Sequence, residues 1–279
     1  MHNVLRTTSL LGGLVLLPGL PGWALAGGAG AWLGLALGLC CGLLAYLYGA
    51  ALVLRLYDAH EVGAQAAPHL LAMVRELASR ASLPAPRVFL LDDIAANAFV
   101  VGRTRGHANL VLTSGILRLL DEVELRAVLA HEFARILNGD MLPGTLAAAV
   151  GGLLALASES GLGLPGHDGA AARRAPLWWL LAPLAAALAR LGSAGRREFA
   201  ADRTGARLCG DPAALARALQ HLHAGPASRH GLALAGRFPA GAQMMVCDPP
   251  GRTGLQRLFH CHPPLARRVQ ALRAEAEAA

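Results

Sequence analysis

Two long apolar runs at the start of the chain constrain its fold more than any other feature. They cover residues 8–26 and 31–54, contain no charged side chain, and are separated by a Gly-rich stretch. Each approaches the about 20 residues that an α-helix needs to cross a bilayer. We therefore expect a transmembrane hairpin over residues 1–55. The first run could instead be a signal peptide, since Arg6 precedes it and residues 24–26 mimic a cleavage site.

Positive charge at the ends of the apolar runs indicates an orientation. Arg6 precedes the first run and Arg55 follows the second, and the positive-inside bias places both on the cytoplasmic side. The net charge of +7 comes entirely from arginine, and several arginines end apolar runs, where anionic lipid headgroups would meet them. The chain contains no recognisable nucleic-acid module, so the basic balance favours a membrane surface over nucleic acid.

The rest of the chain alternates helical and β-type patterns. Runs at residues 87–91, 97–101 and 109–113, divided by turn-forming residues, predict a small antiparallel sheet. Helical spacing predicts helices over residues 66–81 and 122–138. The second of these helices has Asp121 with a glutamate three residues on at its start, and Asn-Gly at its end.

The helix over residues 122–138 carries an incomplete zinc-protease motif. Residues four apart share a helix face, so H-E-x-x-H offers two imidazoles to one Zn²⁺ and places its glutamate beside the metal-bound water. His131 and Glu132 are present, but Arg135 stands where the motif has its second histidine. An arginine cannot replace that ligand, because its guanidinium stays protonated and has no lone pair to offer.

A second segment with candidate ligands follows at residues 196–202. Glu198 and Asp202 are four apart on a predicted helix that ends near Gly210, so they share a face. A carboxylate is a ligand type that zinc accepts.

Three arrangements are open for Arg135. It could form an ion pair with Glu132 or Glu198 in a metal-free site, or turn outward beside a weakened zinc site. In the third arrangement, another residue replaces the missing histidine as a ligand. The candidate replacement is the His-Cys-His segment at residues 260–262, although alternate residues point apart and His262-Pro-Pro could simply start a helix.

Together these features resemble the HtpX-like membrane zinc endopeptidases, relatives of the eukaryotic prenyl-protein endopeptidases, over nearly the whole chain. Besides the hairpin, the matching segments are Asn-Ala-Phe at 97–99, Leu-Thr-Ser-Gly at 112–115, Ala-His-Glu at 130–132 with Asn-Gly-Asp at 138–140, Arg-Glu-Phe-Ala-Ala-Asp at 197–202, Leu-Phe at 258–259 and His-Pro-Pro at 262–264.

The resemblance implies a zincin-like domain of mainly helical α+β class on the cytoplasmic face of a bacterial inner membrane. It implies that zinc is held by His131 and Glu198, that Glu132 is the general base, and that Asp202 supports the ligand helix. The strand over residues 97–101 would pair with an extended substrate backbone, because a sheet edge offers unpaired amides and carbonyls. The further supporting or substrate-binding residues implied are Asn97, Ala98, Phe99, Asn138, Asp140 and His262.

The sequence thus predicts four units: a transmembrane hairpin (1–55), the first part of a catalytic domain (56–140), a second apolar hairpin that spans or associates with the membrane (141–191), and the second part of the catalytic domain (192–279). The expected function is zinc-dependent cleavage of damaged or misassembled membrane proteins, with zinc binding weakened or lost because of Arg135. The alternative is a catalytically inactive adaptor that binds such polypeptides without cutting them. The expected partners are polypeptide substrates and the lipid bilayer, and no nucleic acid.

Overall fold

The structure is a computed structural model that describes residues 18–159, 195–224, 244–246 and 262–277, with a few positions before Pro18. The predictions for residues 160–194, including the second half of the expected apolar hairpin, lie outside the described residues, as do His260 and Cys261. The described part is mainly helical with one small sheet, which confirms the predicted α+β, mainly α class.

Helix α1, Gly19–Leu56, joins the end of the first apolar run to the second. Its helical geometry breaks at Ala26 (φ −142°, ψ 25°) and at Gly27 (φ 59°, ψ −142°), where a side chain would be strained. The two segments then run back along each other, because a Cβ at Gly22 would overlap the carbonyl oxygen of Gly30, and a Cβ at Gly30 that of Gly22. The turn therefore falls in the Gly-rich stretch between the two runs.

Within the described residues, α1 is the helix that is long and apolar enough to cross a membrane, with a mean hydropathy of 2.1. Large apolar side chains on it are exposed, among them Trp23, Trp32 and Leu33. Apolar surface on this scale needs a lipid or protein partner. The bilayer crossing, its orientation and the four unit boundaries stay predictions.

The sheet consists of β1 (His60–Glu61), β2 (Arg87–Leu91), β3 (Ala98–Gly102) and β4 (Ala108–Thr113), in the order β1-β2-β4-β3. The pairs β1–β2 and β3–β4 are antiparallel, but β2 and β4 run parallel. The sheet is therefore mixed, and the expectation of an antiparallel sheet was wrong for this pair. Each connection reverses the chain, but β4 inserts between β2 and β3, so two strands of the same direction become neighbours.

Both faces of the sheet are buried. Along β3, Ala98 and Val100 join one apolar cluster, while Phe99 and Val101 join another, as the two-residue period of a strand requires. The first cluster packs helices α2 (Pro68–Arg80), α4 (Glu122–Asn138), α7 (Pro212–Ala224) and α8 (Leu265–Glu277) on one face. The second cluster packs the end of α1, helix α5 (Met141–Glu159) and residues 244–245 on the other.

Helix α4 has the ends that the sequence predicts. Asp121 accepts a hydrogen bond from the backbone N–H of Glu124, and the Glu124 side chain accepts one from the N–H of Asp121, forming a capping box. Gly139 ends the helix in the left-handed conformation, with φ 72°. A short helix, α3 (Ser114–Leu119), leads into α4, and α6 (Gly195–Cys209) lies across it.

Candidate active site

Three positions of the incomplete motif lie inside the molecule. His131 and Glu132 have no exposed surface, and Arg135 is 4% exposed. The helix is buried on its other faces too, with Val128, Phe133 and neighbouring side chains in the core. The position of the motif is therefore set by core packing around residues 127–136 of α4.

Helix α6 approaches α4 closely at one glycine. A Cβ at Gly205 would lie 2.7 Å from the Cα and 2.8 Å from the backbone nitrogen of His131, so the two backbones meet there. Glu198 and Asp202 precede Gly205 by seven and three residues and share its helix face. This contact directs both carboxylates at His131. The sequence reasoning did not single out Gly205.

His131 contacts one carboxylate with each ring nitrogen. Its Nδ1 lies 2.9 Å from Asp202 Oδ1, and its Nε2 lies 3.7 Å from Glu198 Oε2. A carboxylate at Nδ1 fixes the orientation of the ring and leaves Nε2 directed at the space beside Glu198. The prediction that Asp202 supports the site rested on family resemblance, and the geometry gives it a direct contact.

Arg268, which the sequence reasoning missed, ties Asp202 in place. Its Nε and Nη2 donate to the two oxygens of Asp202 at 2.8 and 2.7 Å, and its Nη1 donates to the carbonyl oxygen of Val246 at 2.9 Å. Burial opposes ionisation of Asp202, but the charge and hydrogen bonds of Arg268 outweigh it and lower the pKa of this carboxyl. The sequence feature that could have indicated a buried role for Arg268 is its position next to Val269, on the apolar face of α8.

Arg135 points into the cluster. Its Nη1 lies 3.4 Å from Glu132 Oε1 and also donates to the backbone carbonyl oxygen of Met244. Burial disfavours its charge, but the negative charges of Glu132, Glu198 and Asp140 outweigh this and raise its pKa. The structure contains the ion pair with Glu132, which is part of one of the three arrangements left open by the sequence.

Glu132 and Glu198 differ in the direction of their pKa shifts. Burial raises the pKa of Glu132, and the charge of Arg135 only partly offsets it. For Glu198 burial acts in the same direction, but the charges of His262, Arg135 and Arg268 outweigh it and lower the pKa. His262 Nε2 lies 3.8 Å from Glu198 Oε1, so this histidine lies in the cluster, and its supporting or substrate-binding role stays a prediction.

The edge strand β3 is the predicted site of substrate pairing. In the structure, the N–H of Val246 donates to the carbonyl oxygen of Ala98 at 3.1 Å and to the side-chain oxygen of Asn97 at 3.0 Å. Phe99 is buried on the face opposite to Ala98. At the far end of β3, the N–H of Gly102 donates to Thr145 Oγ1 at 3.0 Å. Both ends of the edge thus already have partners within the chain.

Asp140 and Asn138 lie just beyond the motif. Arg197 Nη1 is 3.3 Å from Asp140 Oδ1, which links the start of α5 to the start of α6 beside Glu198. Asn138 is the last residue of α4 and is partly buried. A role of Asn138 in binding substrate stays a prediction.

The residues at the motif positions fit a zinc ion only in part. Two donors on one tetrahedral zinc, at bond lengths of about 2.0–2.1 Å, lie about 3.3 Å apart, and His131 Nε2 and Glu198 Oε2 are 3.7 Å apart. The third position does not fit, since Arg135 places a cation among the carboxylates. Among the described residues, no group of three His, Cys, Asp or Glu side chains is arranged to hold a metal ion. Within the described residues, the third ligand position of the zinc site that the resemblance implies is therefore taken by Arg135.

Comparison with known proteins identifies the family. A solved structure, the crystal structure of S. mikatae Ste24p, is similar with a TM-score of 0.51 at 18% identity, over 97% of this chain and 64% of that one. At this identity the likeness concerns the fold alone. The chain is 39% identical over 276 residues to proteins called "Protease HtpX homolog" from Burkholderia thailandensis and Burkholderia mallei, covering 98% of this chain and 96% of each relative. The model of peptidase family M48 matches residues 64–276, and the chain therefore belongs to this family, as an HtpX-type member.

Proposed function

We propose that this protein binds polypeptide between β3 and α4, in the space that residues 244–246 occupy and that we call the cleft, without hydrolysing it. The observation that carries the proposal is the hydrogen bond from Arg135 to the backbone carbonyl oxygen of Met244. At the motif position that would hold a metal ligand, this chain has a side chain that binds a peptide carbonyl directly.

The cleft already contains a piece of polypeptide, and it holds that piece by main-chain atoms. Residues 244–246 are bound through the carbonyl oxygen of Met244 by Arg135, the N–H of Val246 by Ala98, and the carbonyl oxygen of Val246 by Arg268. Main-chain hydrogen bonds to a sheet edge give affinity that does not depend on the side chains of the bound segment. A cleft of this kind would accept segments of another polypeptide in competition with residues 244–246.

The side chains of the bound segment indicate the preferred composition. Met244, Met245 and Val246 are 1%, 2% and 0% exposed, and the two methionines pack in the cluster that contains Phe99. An incoming segment would have to supply comparable apolar side chains to replace that burial. Unfolded segments of membrane proteins have this character.

Electrostatics argues against zinc-dependent hydrolysis in the same cleft. A zinc ion and a guanidinium about 4 Å apart repel by on the order of 8 kcal/mol at an effective dielectric of about 20. The carboxylate that the family resemblance assigns as general base, Glu132, lies 3.4 Å from Arg135. Metal binding would therefore require Arg135 to leave a buried position where its charge is matched by Glu132 and Glu198.

The test uses the purified full chain in detergent and a fluorescent, permanently unfolded polypeptide. We expect capture of the polypeptide with no cleavage products, with or without added zinc. Arg135→Met should weaken capture, whereas the matched control Arg118→Met, at an exposed arginine of α3, should not. Zinc-dependent products that disappear in Glu132→Gln would overturn the proposal, and so would failure to capture polypeptide.

A second function is favoured by one specific observation. His262 lies beside Glu198, at 3.8 Å, so a small rearrangement could combine His131, Glu198 and His262 as three ligands. The protein would then be a zinc endopeptidase acting on damaged membrane proteins, with His262 in place of the missing histidine. This alternative predicts stoichiometric zinc in the unmodified protein and its loss in His262→Ala, whereas the binding function predicts no zinc in either protein.

A further inference from the structure

We propose that the cavity between the C-terminal half of α1 and the β3–β4 turn binds one anionic phospholipid. The cavity has a volume of about 300 Å³ and two chemically different walls. One wall is apolar and is formed by α1 and α5, and the other carries Arg103, Arg105 and His107 from the turn. We call it the basic cavity.

The apolar wall lies near the end of the membrane-spanning candidate. Leu47, Ala50 and Leu54 of α1 line the cavity together with Leu142 of α5. Leu47 remains 41% exposed. In a bilayer-spanning α1, Leu47, Ala50 and Leu54 lie in the last turns before Arg55, at the depth where acyl chains meet headgroups. The inference therefore rests on the membrane position of α1, and it is independent of the chemistry of the cleft around Arg135.

The basic wall has cations in fixed positions. Arg103 Nη2 lies 3.3 Å from His107 Nε2, and His107 Nδ1 lies 2.7 Å from Thr104 Oγ1. An arginine can only donate, so Nε2 accepts and Nδ1 carries the proton that is donated to Thr104. Arg105 is fixed separately, because its Nη2 donates to the carbonyl oxygen of Leu137 at 2.6 Å.

These two arginines lack an acidic partner within the part of the chain that the structure describes. Neither Arg103 nor Arg105 takes part in any of its ion pairs, whereas Arg87, which also lines the cavity, pairs with Glu61. Two guanidinium groups with unused donors suit the non-bridging oxygens of a phosphodiester. Basic pockets beside transmembrane helices bind anionic headgroups in this way.

The two walls together select the ligand. A free phosphate ion would satisfy the arginines but leave Leu47 and Leu54 facing water. A neutral zwitterionic lipid would cover the leucines but bring its own cation to the arginines. An anionic glycerophospholipid, such as phosphatidylglycerol, matches both walls at once.

The test measures binding of phosphatidylglycerol to the full-length protein in detergent, by native mass spectrometry over a range of lipid concentrations. Each arginine near a headgroup contributes about 1 kcal/mol, so the double variant Arg103→Gln/Arg105→Gln should bind about 30-fold more weakly. The matched control is Arg75→Gln/Arg118→Gln, which removes the same charge from two exposed arginines that do not line the basic cavity. We expect this control to bind like the unmodified protein.

Three further measurements distinguish binding of a lipid headgroup from binding of a free phosphate ion. Arg103→Lys/Arg105→Lys should recover part of the affinity, Leu54→Gln should weaken lipid binding, and millimolar inorganic phosphate should not displace the lipid. Equal loss in the control pair, unchanged binding in the double variant, or displacement by phosphate would each overturn the proposal. Polypeptide capture should be unchanged in the Gln double variant, so failure here is distinguishable from failure of the proposed function.

Discussion

Replacing Arg268 with methionine should strongly destabilise the fold, because it leaves a buried carboxylate without its cation. Arg268 is 2% exposed and makes two hydrogen bonds to Asp202, itself 3% exposed, and one to the carbonyl oxygen of Val246. Breaking a buried pair from one side costs about 3–5 kcal/mol. Since about 1 kcal/mol corresponds to about 2–4 °C for domains of 150–250 residues, the midpoint of thermal unfolding should fall by about 6–20 °C.

The assay is thermal unfolding of the full-length protein in detergent, followed by circular dichroism. Arg267→Met is the matched control, because Arg267 is the neighbouring, exposed arginine on α8, and it should change the stability by less than about 0.5 kcal/mol. In the double variant Asp202→Asn/Arg268→Met, the stranded charge is absent, so the loss should be smaller than the sum of the single losses by about 0.5–3 kcal/mol. Equal effects of the two arginine variants would refute the reasoning.

The pH dependence gives an independent check of this ion pair. The pKa of Asp202 is lowered in the folded state, so its contribution is fully present above the unfolded pKa of about 3.9 and is lost as pH falls through the lower folded value. The stability difference between the unmodified protein and Arg268→Met should therefore be constant near neutral pH and shrink below about pH 4. A difference that persists unchanged in strong acid would contradict the assignment.

Three further predictions concern Glu132, Gly205 and Val246. Burial raises the pKa of Glu132, so the stability of the fold should fall as pH rises from the unfolded pKa of about 4.3 through the folded value. Glu132→Gln should remove this fall. An unmodified protein and a Glu132→Gln variant whose melting temperatures change with pH in the same way from about pH 4 to 8 would contradict the prediction. Gly205→Ala should cost about 1–3 kcal/mol, because the new Cβ meets the backbone of α4, whereas Gly63→Ala, with nothing within 4 Å, should cost less than about 0.5 kcal/mol in the same melting assay. Val246→Pro removes the N–H that bonds to β3 and should make residues 244–246 more sensitive to limited proteolysis than Val246→Ala does; equal sensitivity would contradict this.

The parts of the site that the sequence predicted are those encoded within one helix. The spacing of His131, Glu132 and Arg135 places them on α4, and Asp121 with Glu124 fixes where that helix begins. Four-residue spacing likewise places Glu198 and Asp202 on one face. Such relations depend on backbone geometry alone, so one sequence is enough to predict them.

The contacts that assemble the site could not be predicted from these local patterns. Arg268 and Asp202 are hydrogen-bonded but lie 66 residues apart in the sequence, and Val246 and Asn97 lie 149 residues apart. Gly205 gave no signal, since its role depends on how closely α6 approaches α4. The parallel pairing of β2 with β4 was missed for a similar reason, because the insertion of one strand between two others leaves no mark in the sequence of any of them.

The occupied edge of β3 changes how the family resemblance should be applied to this chain. The resemblance implied an edge open to substrate, whereas Val246 and Thr145 bond to its two ends. Any polypeptide that enters the cleft must compete with residues 244–246 for Ala98 and for Arg135. The affinity for such a polypeptide should consequently be set by the difference between two similar sets of main-chain bonds, and so be modest.

The zinc content of the purified protein tests most directly whether Arg135 has taken the place of the metal. Elemental analysis should compare the unmodified chain with Arg135→His, both equilibrated with equal zinc and then freed of unbound metal. We expect far less than one zinc per chain in the unmodified protein, and about one per chain in Arg135→His, where the third ligand is restored. One zinc per chain in the unmodified protein, or none in Arg135→His when it is correctly folded, would contradict the central claim.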